Sequence, residues 1–288
     1  MISVIIAAHD EEHVLGACLD ALVAQADPGT VQLVVSANGC TDGTAEVARR
    51  RGATVVERTE AGKSGALNAA DDVAFGFPRV YLDADIIVPP RGLDRVIDQL
   101  GDGALAAVPR RVLDTHGSPV LVKAFCAINE RLPAFRDGLF GRGMIAVSAE
   151  GRARFERFPD VIADDLFLDA QFAPDEKREA GDVSVVVRAP RTTTALLHRL
   201  IRVRRGNAQL RAAAARGTVG AVRAADRWAW LRDVVLPRPW LVFAAIPYVG
   251  IMLAAAGAAR RAPDAATPWG RDATTREARG AAWKPPVP

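Results

Sequence analysis

Cysteine is scarce in this chain: Cys18, Cys40 and Cys126 are the only three among 288 residues. They are scattered and odd in number, so they form neither a disulfide framework nor a metal-ligand spacing, and reduced thiols in a cytosolic compartment are expected. The four histidines show no metal-ligand spacing either. The N-terminus has no basic leader, and its apolar run stops at His9-Asp10, too short for a signal peptide. Catalysis is therefore expected on the cytoplasmic side. No internal repeat and no Gly/Ser linker divides the chain.

Apolar residues, by contrast, make up half of the chain and charged residues a quarter, which places it among globular proteins with a sizeable core. Charge is distributed unevenly. From Arg199 onward there are 16 Lys/Arg against 5 Asp/Glu, and before it 21 against 29. An acidic body with a basic final third suggests an anionic surface as partner for the latter. Nucleic acid is not expected, because the acidic first two-thirds would repel its phosphates.

The pattern is α/β. Ile2 to Ala8 reads as a fully buried strand, and Asp10, Glu11 and Glu12 then place acids in the first turn of a helix. A second strand over Gln32 to Val35 runs into the loop Ser36 to Thr44. A third covers Ala53 to Val56, a helix opens at Gly62-Lys63, and a fourth strand covers Val80 to Leu82. Alternation of this kind predicts a mostly parallel sheet with helices on both faces, and ligands bind at the carboxyl ends of such strands. Further strands are expected near 105–108, 145–148 and 183–187, with helices over 93–100, 120–132 and after Asp165. Arg188 to Arg191 is the expected boundary between a domain of residues 1–190 and an Arg-rich helical segment of residues 191–261. Residues 262–288, rich in Pro, Ala and Arg, read as an irregular tail.

The fourth strand ends in Asp83-Ala84-Asp85. In an extended backbone residues i and i+2 share a face, so the two carboxylates are expected to hold one hard cation, Mn2+ or Mg2+, against substrate phosphates. A bare D-x-D also suits a solvated turn. Pro239 to Ala259 is a run of 21 residues without charge, flanked by Arg238 and by Arg260-Arg261. It is long enough to cross a bilayer, and a buried or interfacial helix would give the same run.

Taken in order, the motifs resemble those of family 2 glycosyltransferases, inverting nucleotide-sugar-dependent enzymes with a GT-A fold, over about residues 2–206. Ser3 to Glu12 is similar to the family's first strand and acidic turn, and Asn38 to Thr44 to its second nucleotide-contacting loop. Gly62-Lys63-Ser64-Gly65-Ala66-Leu67-Asn68 resembles the family's G-K-x-x-A-L-N helix start, and Leu82 to Asp85 its D-x-D. Ala163-Asp164-Asp165 resembles the acidic pair whose second member is the base, and His198 to Gly206 the Q-x-x-R-W region.

The resemblance implies donor contacts from Ala8, Asp10, Glu11, Asn38, Asp42, Lys63, Asn68 and Asp83. It implies a metal on Asp85 supported by Asp83, a general base at Asp165 beside Asp164, and Arg202 on the diphosphate product. It implies transfer from a nucleoside-diphosphate sugar to a hydroxyl on a lipid-linked or cell-envelope acceptor, at the cytoplasmic face of the membrane. Three positions depart from the pattern. Ala37 stands where a base-reading acid is common, and Asp164 where Glu is common. In the Q-x-x-R-W region Arg199 and Val203 replace Gln and Trp. That last loss favours single-sugar transfer over processive synthesis. A sugar-nucleotide nucleotidyltransferase and a basic non-catalytic adaptor are the competing readings.

Overall fold

The computed structural model describes residues 1–261. In chain order the elements are β1 (Ile2–Ala8), α1 (Glu12–Val23), β2 (Val31–Asn38), α2 (Thr44–Arg49), β3 (Thr54–Arg58), α3 (Lys63–Val73), β4 (Arg79–Asp83), α4 (Gly92–Ile97), β5 (Ala106–Asp114), α5 (Val120–Asn129), α6 (Pro133–Asp137), β6 (Met144–Val147), α7 (Ala149–Arg152), α8 (Asp164–Asp169), β7 (Lys177–Arg188), α9 (Thr193–Ala215) and α10 (Val242–Arg261). The seven strands form one sheet in the order β3-β2-β1-β4-β6-β5-β7. Every neighbouring pair is parallel except those made by β6, which runs antiparallel to both β4 and β5.

The nearly unbroken apolar character of β1 follows from burial on both faces. Val4, Ile6 and Ala8 pack against Leu15, Leu19 and Leu22 of α1 in one layer. Ile5 and Ala7 pack against Ala66, Leu67 and Ala70 of α3, with Leu166 and Leu168 of α8, in the other. From β1 the chain steps outward through β2 and β3, and β4 then returns to the opposite side of β1. The carboxyl ends of β1 and β4 thus flank the point where strand order reverses, where a crevice opens in such sheets.

The sequence placed every strand but underestimated several: β2 runs over Val31–Asn38 rather than Gln32 to Val35, and β5 and β7 are longer still. β5 continues to Asp114, and β7 begins at Lys177 rather than Val183, because the two pair along their length across a register shift at Pro109/Arg110. The helical pattern expected throughout residues 191–261 is interrupted. α9 ends at Ala215, and a π-helical turn over Trp230–Val235 precedes α10. Nor is α9 confined to a separate C-terminal segment: its Leu210 lies in the core beneath the sheet, while Leu196 joins a third cluster with α5 and α10. The irregular tail expected over 262–288 lies outside the described residues.

Candidate active site

The loop after β1 and the loop after β2 are locked together by reciprocal hydrogen bonds. The Glu11 N–H donates to Thr44 Oγ1 at 2.7 Å and the Glu12 N–H to Asp42 Oδ2 at 3.2 Å. In return, the Thr41 N–H donates to Asp10 Oδ1 at 2.6 Å and the Gly43 N–H to Glu12 Oε2 at 2.9 Å. Asp42 also accepts the Thr44 N–H and hydroxyl through Oδ1. These acids satisfy the open N–H groups at two helix starts. Asn38, fully buried at the end of β2, spans the next gap: its amide donates to Ala8 O at 2.7 Å and accepts the Gly62 N–H at 2.9 Å.

Several residues expected to contact the donor also brace the fold. Asn38 ties β1 to the start of α3, Asp42 caps α2, and Glu11 is buried beneath the rim. Asn68 is engaged with the segment before α8. Its amide makes a two-way pair with the backbone of Phe158, at 2.9 and 2.8 Å. Ser64 Oγ donates to Val161 O at 2.7 Å from the same helix. Together they anchor the segment that leads into Asp164.

Lys63, at the start of α3, is the hub. Its Nζ lies 2.8 Å from Asp83 Oδ1 and 2.9 Å from Asp164 Oδ2. Burial works against its charge, but the Asp164, Asp83 and Asp165 carboxylates outweigh burial and hold the ammonium well above the ordinary lysine range. The cation is outnumbered, however. Burial, and after it the repulsion of Asp165 and Asp83, pushes the Asp164 carboxyl up to about 6 against the opposing pull of Lys63.

Asp165 faces the same pocket. Its Oδ2 accepts the Gly141 N–H at 2.9 Å and its Oδ1 accepts the Leu166 N–H at 2.8 Å. The loop Gly141 to Gly143 thus touches the acidic pair at one end and Asp83 at the other, where the Asp83 N–H donates to Gly143 O at 2.8 Å. Lys63, Leu67, Asp83, Gly141, Gly143 and Asp165 all line this pocket. Gly143 has φ +72°, and a side chain there would strike Ile86 and crowd Asp83 Oδ2.

The two aspartates of the D-x-D do not share a strand face. β4 ends at Asp83 and the chain turns at once, with the Ile86 N–H donating back to Asp83 O at 3.2 Å. Asp85 is carried on that turn and is exposed, while Asp83 reaches inward to Lys63. The donor set is all carboxylate oxygen and exceeds the local positive charge, which suits a hard divalent cation.

Arg202 lies partly buried on α9. One turn later Gly206 presses against the segment before the acidic pair: an added Cβ would meet Ile162 at 2.9 Å and the Ala163 nitrogen at 3.3 Å. Residues i and i+4 share a helix face, so this contact turns the Arg202 face toward the start of α8.

Two supports of the site escaped sequence reading. Arg142, 2% exposed, donates to the carbonyls of Gly138, Pro109, Phe135 and Arg136 and pairs with Glu179, fixing the loop that holds Asp165. Asp169, also 2% exposed, accepts from Lys177 Nζ at 2.7 Å and from the Leu139 N–H at 2.9 Å, seating α8. Neither stands in a motif, and each depends on a partner 30 or more residues distant, Leu139 for Asp169 and Pro109 and Glu179 for Arg142.

Comparison with known proteins agrees with this architecture. A mannosyltransferase from Pyrobaculum calidifontis, solved with GDP-Man and Mn2+, superposes with a TM-score of 0.59 at 24% identity, over 91% of this chain and 76% of its own. Glucosyl-3-phosphoglycerate synthase from Mycobacterium tuberculosis, solved with phosphoglyceric acid, gives 0.50 at 22% identity, over 65% and 70%. No protein of curated function matches the sequence. The family model described as glycosyl transferase family 2 matches residues 3–146, the half of the chain that carries both interlocked loops, Lys63, Asp83, Asp85 and the Gly141 to Gly143 turn. The chain belongs to glycosyl transferase family 2 and is a glycosyltransferase with a GT-A fold.

Proposed function

We propose that this enzyme moves a single sugar from a nucleoside-diphosphate sugar to a hydroxyl of a lipid-linked or cell-envelope acceptor, with inversion at the anomeric carbon. The observation that carries the reading is the setting of Asp165. Two backbone N–H groups orient its carboxylate in the pocket that Asp83 and Lys63 also enter. A base so placed accepts the acceptor's proton as the hydroxyl oxygen attacks opposite the departing diphosphate. Asp85 and Asp83 are the residues that would hold Mn2+ or Mg2+, which when bound supplies Lewis-acid stabilisation of the leaving diphosphate. Lys63 provides a fixed positive charge beside them, and Arg202 approaches from α9 to meet the product diphosphate. Asp10 and the backbone at Ala8 form the rim on which the nucleoside rests.

The C-terminal helices support placement at the membrane. The helix over Pro239–Arg261 is apolar enough to span one, with a mean hydropathy of 2.0. One face of α10, carrying Ala245, Tyr248, Ile251 and Ala255, is packed on α5 and α9. Phe243, Ile246 and Leu253 point outward, 80%, 73% and 68% exposed. A helix committed to the protein along one side and to lipid along the other lies in the interface rather than across it. Exposed Trp228 and Trp240 suit the headgroup level. Localisation at the cytoplasmic face is part of this proposal.

The test is a panel of UDP-, GDP- and dTDP-sugars with Mn2+ or Mg2+, read by thermal stabilisation and by the nucleotide released. One nucleotide series should stabilise the protein, metal-dependently, and Asp85→Ala should abolish the effect. Release of pyrophosphate instead of a nucleoside diphosphate would identify a nucleotidyltransferase. No response from folded protein in detergent would sink the reading.

A further inference from the structure

Beside the pocket lies a group of cations whose charge the catalytic reading does not use. Arg111, on β5, stacks its guanidinium over the Phe135 ring at 4.0 Å. Its Nη2 is buried and has no hydrogen-bond partner. A buried N–H left unpaired has given up water without a replacement, so such a group calls for a partner. Among the described residues no ion pair reaches Arg111. The charges that act on it are those of Arg199 on α9, Arg142 and Glu130. Arg142 is already paired with Glu179, and Glu130 with Arg131. Burial, then the repulsion of Arg199 and Arg142, presses the Arg111 guanidinium down to about 10.

The position of this cluster says what it would bind. Gly141 touches both sides: its N–H donates to Asp165, and a Cβ on it would meet Arg111 Nη1 at 3.4 Å. Arg111 therefore sits directly behind the loop that orients the base. Leu113, two residues along the same face of β5, packs into the cluster of α5, α9 and α10. The cations thus lie between Asp165 and the layer that carries the exposed apolar helix.

We propose that Arg111 and Arg199 hold a phosphate group of the acceptor, so that the preferred acceptor bears a phosphate near the hydroxyl that Asp165 deprotonates. The proposal rests on the glycosyltransferase reading above and names the acceptor class. Planar guanidiniums match phosphate oxygens through paired hydrogen bonds, and an orphaned N–H gains the partner it lacks. Phosphate itself is not consumed: the acceptor oxygen forms the new glycosidic bond, its proton passes to Asp165, and the nucleoside diphosphate departs with the bonding pair.

The experiment uses the full chain in detergent, with EDTA and without nucleotide, titrated with inorganic phosphate against chloride at matched ionic strength. Thermal stabilisation should saturate in the wild type. Arg111→Gln and Arg199→Gln should each raise the midpoint about tenfold, the loss of one charge-assisted pair. Arg110→Gln, the exposed neighbour on the opposite face of β5, should leave it in place. Asp85→Ala should keep the phosphate response while losing that to nucleotide and Mn2+, so the two readings fail separately.

Should Arg111→Gln not fold, judged by loss of its nucleotide response, Arg199→Gln on the helix carries the test. Glycerol phosphate and vesicles containing phosphatidic acid then separate a soluble from a lipid source, and a dependence of either on Arg111 upholds the site. A nucleotide response without any saturable phosphate response overturns the proposal. An equal effect of Arg110→Gln, or loss of the phosphate response in Asp85→Ala, overturns it too.

Discussion

Lys63 serves three carboxylates, and that shortage of positive charge sets the acid–base behaviour of the site. The Asp164 carboxyl, raised to about 6 mainly by burial, favours its proton in the folded protein. A group whose folded value is raised stabilises the fold below its unfolded value, near 4, and loses that contribution as pH climbs through the folded one. Without metal or donor, the Tm of wild type minus that of Asp164→Asn should therefore fall between pH 4 and pH 7. A flat difference would show that Lys63 compensates Asp164 fully. For catalysis, Asp165→Asn should lower transfer by about 10²- to 10⁴-fold, the usual worth of a positioned base, while donor-dependent stabilisation persists. Equal loss of donor binding would reassign Asp165 to the nucleotide side. Gly143→Ala is a third case at this scale. Its positive φ and its contact with Ile86 predict about 1–3 kcal/mol of destabilisation by denaturant unfolding, with activity reduced through a displaced Asp83.

Among the elements, α3 and α9 show what was legible in the sequence and what was not. The strands announced themselves, because a strand buried on both faces must be almost wholly apolar, as Ile2 to Ala8 is with Ser3 its one polar residue. The loops that follow β1, β2 and β4 were legible because polar clusters recur at strand ends. Function within a motif was less so. Asn68 stands in the same helix start as Lys63, yet five residues on it faces Phe158, and only the packed structure reveals a brace. Only the shared strand face expected of the D-x-D is absent, for a local reason: that argument assumes a strand, and β4 stops at Asp83. Arg111, Arg142 and Asp169 were illegible because the decisive groups around them, Phe135, Glu179 and the Leu139 N–H, come from other segments of the chain. The role of α9 likewise rests on one close approach. Gly206→Leu should push the helix off Ile162 and Ala163 and carry Arg202 away from the start of α8. The expected signature is a large fall in kcat with the nucleotide-dependent thermal shift retained; unchanged kcat would remove α9 from the active site.

At the scale of the whole molecule, two kinds of attraction to a membrane are separable. The chain from Arg199 onward is strongly basic and the remainder acidic, so an anionic surface both draws the C-terminal third and repels the body. This component is screened by salt over a Debye length of about 10 Å at 0.1 M. The outward face of α10 supplies the other, since burying Phe243, Ile246 or Leu253 is worth about 1.5–3 kcal/mol each and does not depend on ionic strength. Raising salt should therefore weaken co-sedimentation with anionic vesicles only to the level seen with neutral ones. Ile246→Glu with Leu253→Glu should remove that residual, with catalysis on a water-soluble acceptor intact. Since α10 keeps its inner face on α5 and α9, alkaline carbonate should strip the protein from membranes. Retention after carbonate would mean that α10 leaves its groove to cross the bilayer, and the packing of Tyr248 on Phe125 would then have to break.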